Sequence, residues 1–134
     1  MDNHPIPRRY HWLTDYSYVP TVAVAPAVFG FAHDKNAARL CRAFSGAILL
    51  SSIFTRAEWG VVKAMPYKGH VALDFAAGVA ALATPWLAGF AQNRAARNTF
   101  LAMGVVGISV GLLSGLFTGP EEMPAAEADS NQNS

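Results

Sequence analysis

Charge is unevenly spread along this chain, and the gaps in it set the first expectation. Residues 12–32, 43–55, 71–91 and 98–118 are almost free of charged side chains, and polar segments at 1–11, 33–42, 56–68, 92–97 and 121–134 separate or flank them. At about 1.5 Å of rise per residue, about 20 apolar residues cross the roughly 30 Å of bilayer hydrocarbon. The first, third and fourth stretches have that length. The second reaches it only by including the basic turn 36–42, whose arginines can extend to the headgroups. The fourth reads FLAMGVVGISVGLLSGLF from Phe100 to Phe117, with Ser109 and Ser114 as its only polar side chains. A helix of a soluble bundle needs a polar stripe. Membrane helices are therefore predicted over a greasy soluble bundle.

The second pattern is a repetition. Residues 25–41 read APAVFGFAHDKNAARLC, and residues 83–100 read ATPWLAGFAQNRAARNTF. At an offset of 59, residues 7–32 and 66–91 share seven identities, including His11 with His70, Asp15 with Asp74, Pro26 with Pro85, and Gly30-Phe31-Ala32 with Gly89-Phe90-Ala91. Dropping one loop residue changes the offset to 58 and aligns Ala37-Ala38-Arg39 with Ala95-Ala96-Arg97, Gly46 with Gly104 and Ser51 with Ser109. Each unit reads as a long apolar helix ending at Pro-x-x-x-Gly-Phe, a basic turn and a second helix. Two crossings return the chain to its starting side, so the units share one orientation about an axis along the membrane normal.

The predicted fold is an all-α integral membrane four-helix bundle made of two tandem transmembrane hairpin repeats. A polar N-terminal segment covers 1–11, the hairpins cover 12–59 and 60–118, and a disordered acidic tail covers 119–134. Residues 12–25 end in Ala-Val-Ala and imitate a cleavable signal. The matching segment 71–84 lies deep inside the chain, so the first helix is expected to stay.

Thr84-Pro85-Trp86 followed by Gly89-Phe90, with Asp74 and Gly78 before it and a basic turn after it, resembles the SPW repeat family of small bacterial integral membrane proteins. Thr84 stands where that signature has serine, and the first unit has Ala25-Pro26-Ala27 without a tryptophan. The resemblance implies a multi-helix protein of the bacterial inner membrane and supplies no catalytic residues.

Composition narrows the function classes. Only 14% of residues are charged, against roughly 25% in soluble domains. The formal net charge of +1 gives no footing for nucleic acid, and the lone Cys41 excludes an internal disulfide. Five cations on one side (Arg8, Arg9, Arg56, Lys63, Lys68) face five on the other (Lys35, Arg39, Arg42, Arg94, Arg97), so the positive-inside rule sets no orientation. No phosphate-binding glycine loop or zinc-protease motif occurs.

The remaining motifs divide into packing and chemistry. Pro26, Gly30, Phe31, Pro85, Trp86, Gly89 and Phe90 read as helix-end and interfacial anchors. Gly104, Gly107, Gly111 and Gly115 form a small-residue row for close helix packing or contact with a partner, and Ala72, Ala76 and Ala80 form another. His11/Asp15 and His70/Asp74 are spaced to touch on one helix face. The plain reading is helix capping or pairing with Arg8, Arg9 or Lys68 near the headgroups. The sharper reading is a proton, metal, haem or ligand site. Cys41, between Arg39 and Arg42, is a weaker candidate for a reactive thiol.

The expectation is a multi-pass membrane protein without enzymatic activity, cofactor or metal. Its role would be structural or accessory, with other membrane subunits or a second copy as partners besides the lipid bilayer. The rival is a small carrier or redox-linked protein that uses the paired His and Asp residues for proton, metal, haem or quinone handling.

Overall fold

The segment Pro-x-x-x-Gly-Phe ends a helix on both occasions. The computed structural model describes residues 8–55, 62 and 64–114. It contains α1 (Arg8–Val28), α2 (Lys35–Ile53), α3 (Tyr67–Leu87) and α4 (Arg94–Leu113). After α1 and α3, Gly30 and Gly89 take φ values of 75° and 78°, a left-handed backbone that glycine adopts without a Cβ clash. The next N–H groups then turn back, Phe31 to the Pro26 carbonyl and Phe90 to that of Pro85, both at 2.9 Å. This Schellman closure satisfies carbonyls left free at the helix end. It also swings Phe31 and Phe90 into the core, where both are buried.

The return helices begin with matching caps. Asp34 accepts from the Ala37 N–H at 3.1 Å and Asn93 from the Ala96 N–H at 3.2 Å, each satisfying a donor of the first turn. The Asn93 side-chain amide also donates to Asp34 Oδ2 at 3.2 Å, so the caps of α2 and α4 are joined across the repeat interface.

These caps correct the register read from sequence. They pair Ala37 with Ala96, which keeps the offset at 59 and requires no dropped residue. The same offset pairs buried positions down both helices: Cys41 with Phe100, Ser45 with Gly104, Ser52 with Gly111 and Thr55 with Ser114. The Ala-Ala-Arg match at 58 is local coincidence.

α1, α3 and α4 begin about one turn before their predicted starts, at Arg8, Tyr67 and Arg94, and α2 begins at Lys35 and so includes the whole basic turn. In the first turn of α2, Asn36 donates to the Ala88 carbonyl at 2.6 Å. The densest packing lies within the hairpins α1–α2 and α3–α4. Between hairpins α2 approaches α3 and α1 approaches α4, whereas α1 and α3 stand diagonally with no close backbone approach among the described residues.

Gly78 and the glycines of α4 hold the second hairpin closest. A Cβ at Gly78 would lie 2.7 Å from the Ile108 nitrogen, and one at Gly107 would lie 2.9 Å from the Gly78 Cα. Gly104 and Gly111 likewise face Leu82 and Phe75. In the first hairpin the counterpart of Gly104 is Ser45, whose hydroxyl donates to the Val19 carbonyl at 2.8 Å. Gly115 and the acidic segment after it lie outside the described residues. Ala72, Ala76 and Ala80 are exposed on the outer face of α3.

The apolar core fills the turn end of the bundle around Phe31, Cys41, Phe90, Phe100 and Met103. Cys41 is fully buried there, while Arg39 and Arg42 point outward, which removes the basis for an arginine-activated thiol. Elsewhere the usual polarity is inverted. Leu73, Val79, Trp86 and Leu87 of α3 and Val105, Val106, Leu112 and Leu113 of α4 are exposed, while His11, Asp15, Ser45, Ser52, His70 and Asp74 are buried. Among the described helices, α3 and α4 are long and apolar enough to cross a membrane. α1 and α2, of 21 and 19 residues, have the length but are more polar.

Candidate functional site

His11 and His70 are the fourth residues of α1 and α3, and Asp15 and Asp74 are the eighth. A spacing of four places each pair on one helix face. Eight residues into a helix, neither carboxylate can reach the free N–H groups of the first turn. The capping expectation is therefore incorrect, and the partners of the carboxylates are imidazoles.

Both pairs point to the bundle axis and meet there. His11 Nε2 lies 3.1 Å from Asp74 Oδ2 and 3.5 Å from Asp15 Oδ2. His70 Nε2 lies 2.7 Å from Asp15 Oδ2 and 3.3 Å from Asp74 Oδ2. The shorter contact of each histidine is thus with the other repeat's aspartate. All four residues are between 2% and 6% exposed, so little water shares the charge. The imidazoles meet edge to face with centroids 5.3 Å apart, and Tyr67 packs on His11 in the same manner at 5.5 Å.

Among the described residues, two hydroxyls touch the quartet. His11 Nδ1 lies 2.7 Å from Ser114 Oγ. Ser52 Oγ lies 3.2 Å from Asp15 Oδ2 and 2.9 Å from the Ile48 carbonyl. His70 Nδ1 is buried without a hydrogen bond of good geometry among the described residues, with the Ser51 backbone close to it. The counterpart of Ser114 at this place is Thr55, whose hydroxyl is committed to the Ser51 carbonyl. Ser52, Thr55 and Ser114 escaped sequence reasoning. The offset of 59, held to the ends of α2 and α4, would have paired Thr55 with Ser114.

On the side facing the middle of the bundle, Asp15 and Asp74 border a cavity of about 30 Å³ that Thr14, Tyr18, Gly78 and Gly107 also line. Small-molecule sites measure about 300 Å³ or more, so this space suits water or an ion, not haem or quinone.

The other singled-out residues lie apart from the quartet. Pro26, Pro85, Phe31 and Phe90 are buried at the opposite, turn end, and Trp86 is 59% exposed on the outside of α3. Gly104, Gly107 and Gly111 are occupied with α3, so that face of α4 is not open to a partner.

No curated protein matches this chain, and no solved structure does. The SPW repeat domain model matches residues 10–114, the span that holds both hairpins and the whole quartet, and with α3 and α4 apolar enough to cross a bilayer the chain is a small membrane protein belonging to the SPW repeat family.

Proposed function

We propose that the protein is a four-span, cation-binding protein of the bacterial inner membrane, without enzymatic activity of its own, and that the His11/Asp15/His70/Asp74 quartet is its working centre. One observation carries this reading. The same two atoms from each repeat, one Nε2 and one Oδ2, converge on a common point, each nitrogen within 3.5 Å of both oxygens. Two buried carboxylates require positive charge beside them. Stability alone gives little reason for such a group, because well-packed apolar residues in place of a buried ionic cluster are often neutral or stabilising. Ionisable residues inside a membrane bundle mark ion or ligand sites by default. The inverted polarity of the surface supports placing α1 and α2 in the bilayer with α3 and α4: their polar side chains turn inward, and Leu13, Val24 and Leu50 face out.

This reading takes from the rival expectation only that the quartet binds a cation, and it departs from a role in packing alone. A ligand of the folded state raises its stability, by about 2.7 kcal/mol at a hundredfold excess over Kd. In lipid nanodiscs, the thermal midpoint of the wild type should rise with at least one cation from a panel of monovalent and divalent ions and proton concentrations. The Asp15→Asn/Asp74→Asn variant keeps the side-chain shape and should lose that response. Identical responses in both proteins would return the quartet to a packing role and favour the accessory subunit.

A further inference from the structure

The distances within the quartet select among cations. We propose that His11 Nε2, His70 Nε2, Asp15 Oδ2 and Asp74 Oδ2 form a closed, four-coordinate site for one divalent ion of the zinc class, which clasps the two repeats together. The proposal rests on the reading of the quartet as a cation site and adds the identity of its occupant.

Zinc bonds of about 2.0–2.2 Å to imidazole nitrogen and carboxylate oxygen imply ligand-to-ligand edges of about 3.3 Å in a tetrahedron. The four nitrogen-to-oxygen edges measure 2.7, 3.1, 3.3 and 3.5 Å. All four donor atoms lie within 4.8 Å of one another, so the set draws in around the ion to reach tetrahedral edges.

Two further features point to a metal rather than to a hydrogen-bonded cluster alone. One proton on each Nε2 serves its shorter contact, at 3.1 Å for His11 and 2.7 Å for His70, and leaves the 3.5 and 3.3 Å contacts to the other carboxylate unbridged. A central divalent ion meets all four contacts at once and cancels both carboxylate charges. The second feature lies behind the ring: His11 Nδ1 is held by Ser114 Oγ at 2.7 Å, the outer bond by which a metal-bound histidine is normally oriented. The donor set also discriminates. Magnesium and calcium take oxygen ligands in larger number and magnesium keeps waters, whereas two imidazoles and two carboxylates suit zinc and cobalt.

A filled four-ligand shell leaves no open position for a substrate, which makes the ion a structural clasp. The placement fits, because α1 and α3 lack close backbone contact with each other and the quartet bridges them. At the opposite end Asp34 and Asn93 do the same for α2 and α4.

The test uses the full chain in nanodiscs, stripped with chelator and titrated with Co(II) and then Zn(II). The wild type should take up a single ion, develop the intense visible bands of tetrahedral cobalt, lose them to zinc, and melt at a higher temperature when loaded. Asp15→Asn/Asp74→Asn should show no bands. Ser114→Ala keeps all four ligands and should bind at least about tenfold more weakly, which provides a check if the double variant fails to fold. Weak octahedral cobalt bands, or binding equal in the wild type and both variants, would overturn the clasp. If the midpoint then still responds to protons or another cation through Asp15 and Asp74, only the identity of the ion is wrong. If nothing added alters it, the cation reading falls as well.

Discussion

At the residue scale, space decides what a glycine is for. Gly78 and Gly46 both lie within helices, but a methyl group at Gly78 would meet the Ile108 nitrogen at 2.7 Å and the Gly104 carbonyl oxygen at 2.9 Å, while at Gly46 nothing lies within 4 Å. The same substitution should therefore change sign. Gly78→Ala forces α3 from α4 and is expected to cost about 1–3 kcal/mol as overpacking. Gly46→Ala relieves only backbone entropy and should stabilise by about 0.4–1 kcal/mol. Thermal unfolding in nanodiscs compares the two directly. An equal loss at both positions would mean that the helices do not pack as tightly as Gly78 requires. Sequence could identify the glycine row of α4 but not its counterpart. Gly78 is a single small residue on α3, and only the crossing of the two helices shows that it receives Gly104 and Gly107.

At the element scale, the helix caps carry the symmetry of the molecule. Asp34 and Asn93 each cap their own helix and are bonded to each other at 3.2 Å. Losing a cap typically costs about 0.5–2 kcal/mol. Asp34→Ala and Asn93→Ala should each destabilise by such an amount, and the double variant should lose less than the sum because the bond between the caps disappears in either single variant. Strict additivity in a thermal double-mutant cycle would show that the caps act independently. These residues also explain what sequence concealed. A cap needs a short side-chain acceptor, and Asp and Asn serve equally, so the functional match at 34 and 93 is no identity and the Ala-Ala-Arg match one residue away drew the alignment to 58. With that slip, Thr55 no longer faced Ser114, and the hydroxyls behind the histidines went unseen. The pairs His11/Asp15 and His70/Asp74 were legible, since helical spacing alone puts each on one face. Their meeting was not, because it depends on α1 and α3 standing diagonally across the bundle.

At the scale of the whole molecule, the question is whether the more polar hairpin crosses the bilayer with the other. Hydropathy separates α3 and α4 from α1 and α2, yet the repeat gives both hairpins one architecture, and the polar residues that depress α1 include His11 and Asp15, which are sealed inside. Average hydropathy ignores which way a side chain points, so it penalises a helix for groups that never meet lipid. Positions related by the offset of 59 provide an internal standard. Ser17 and Ala76 are counterparts on the exposed faces of α1 and α3, as are Ala47 and Val106 on α2 and α4. Single cysteines at these four positions, in a Cys41→Ala background, can be challenged in intact membranes with a maleimide that cannot cross them. The reagent needs a thiolate, which forms in water and not in hydrocarbon. With all four helices in the bilayer, Ser17→Cys and Ala47→Cys should be as protected as Ala76→Cys and Val106→Cys, and all four should react once the protein is unfolded in detergent. Rapid labelling at 17 and 47 beside protection at 76 and 106 would place the first hairpin in water. It would also leave the quartet at a membrane surface rather than within one, where the physical case for a buried cation site is weakest.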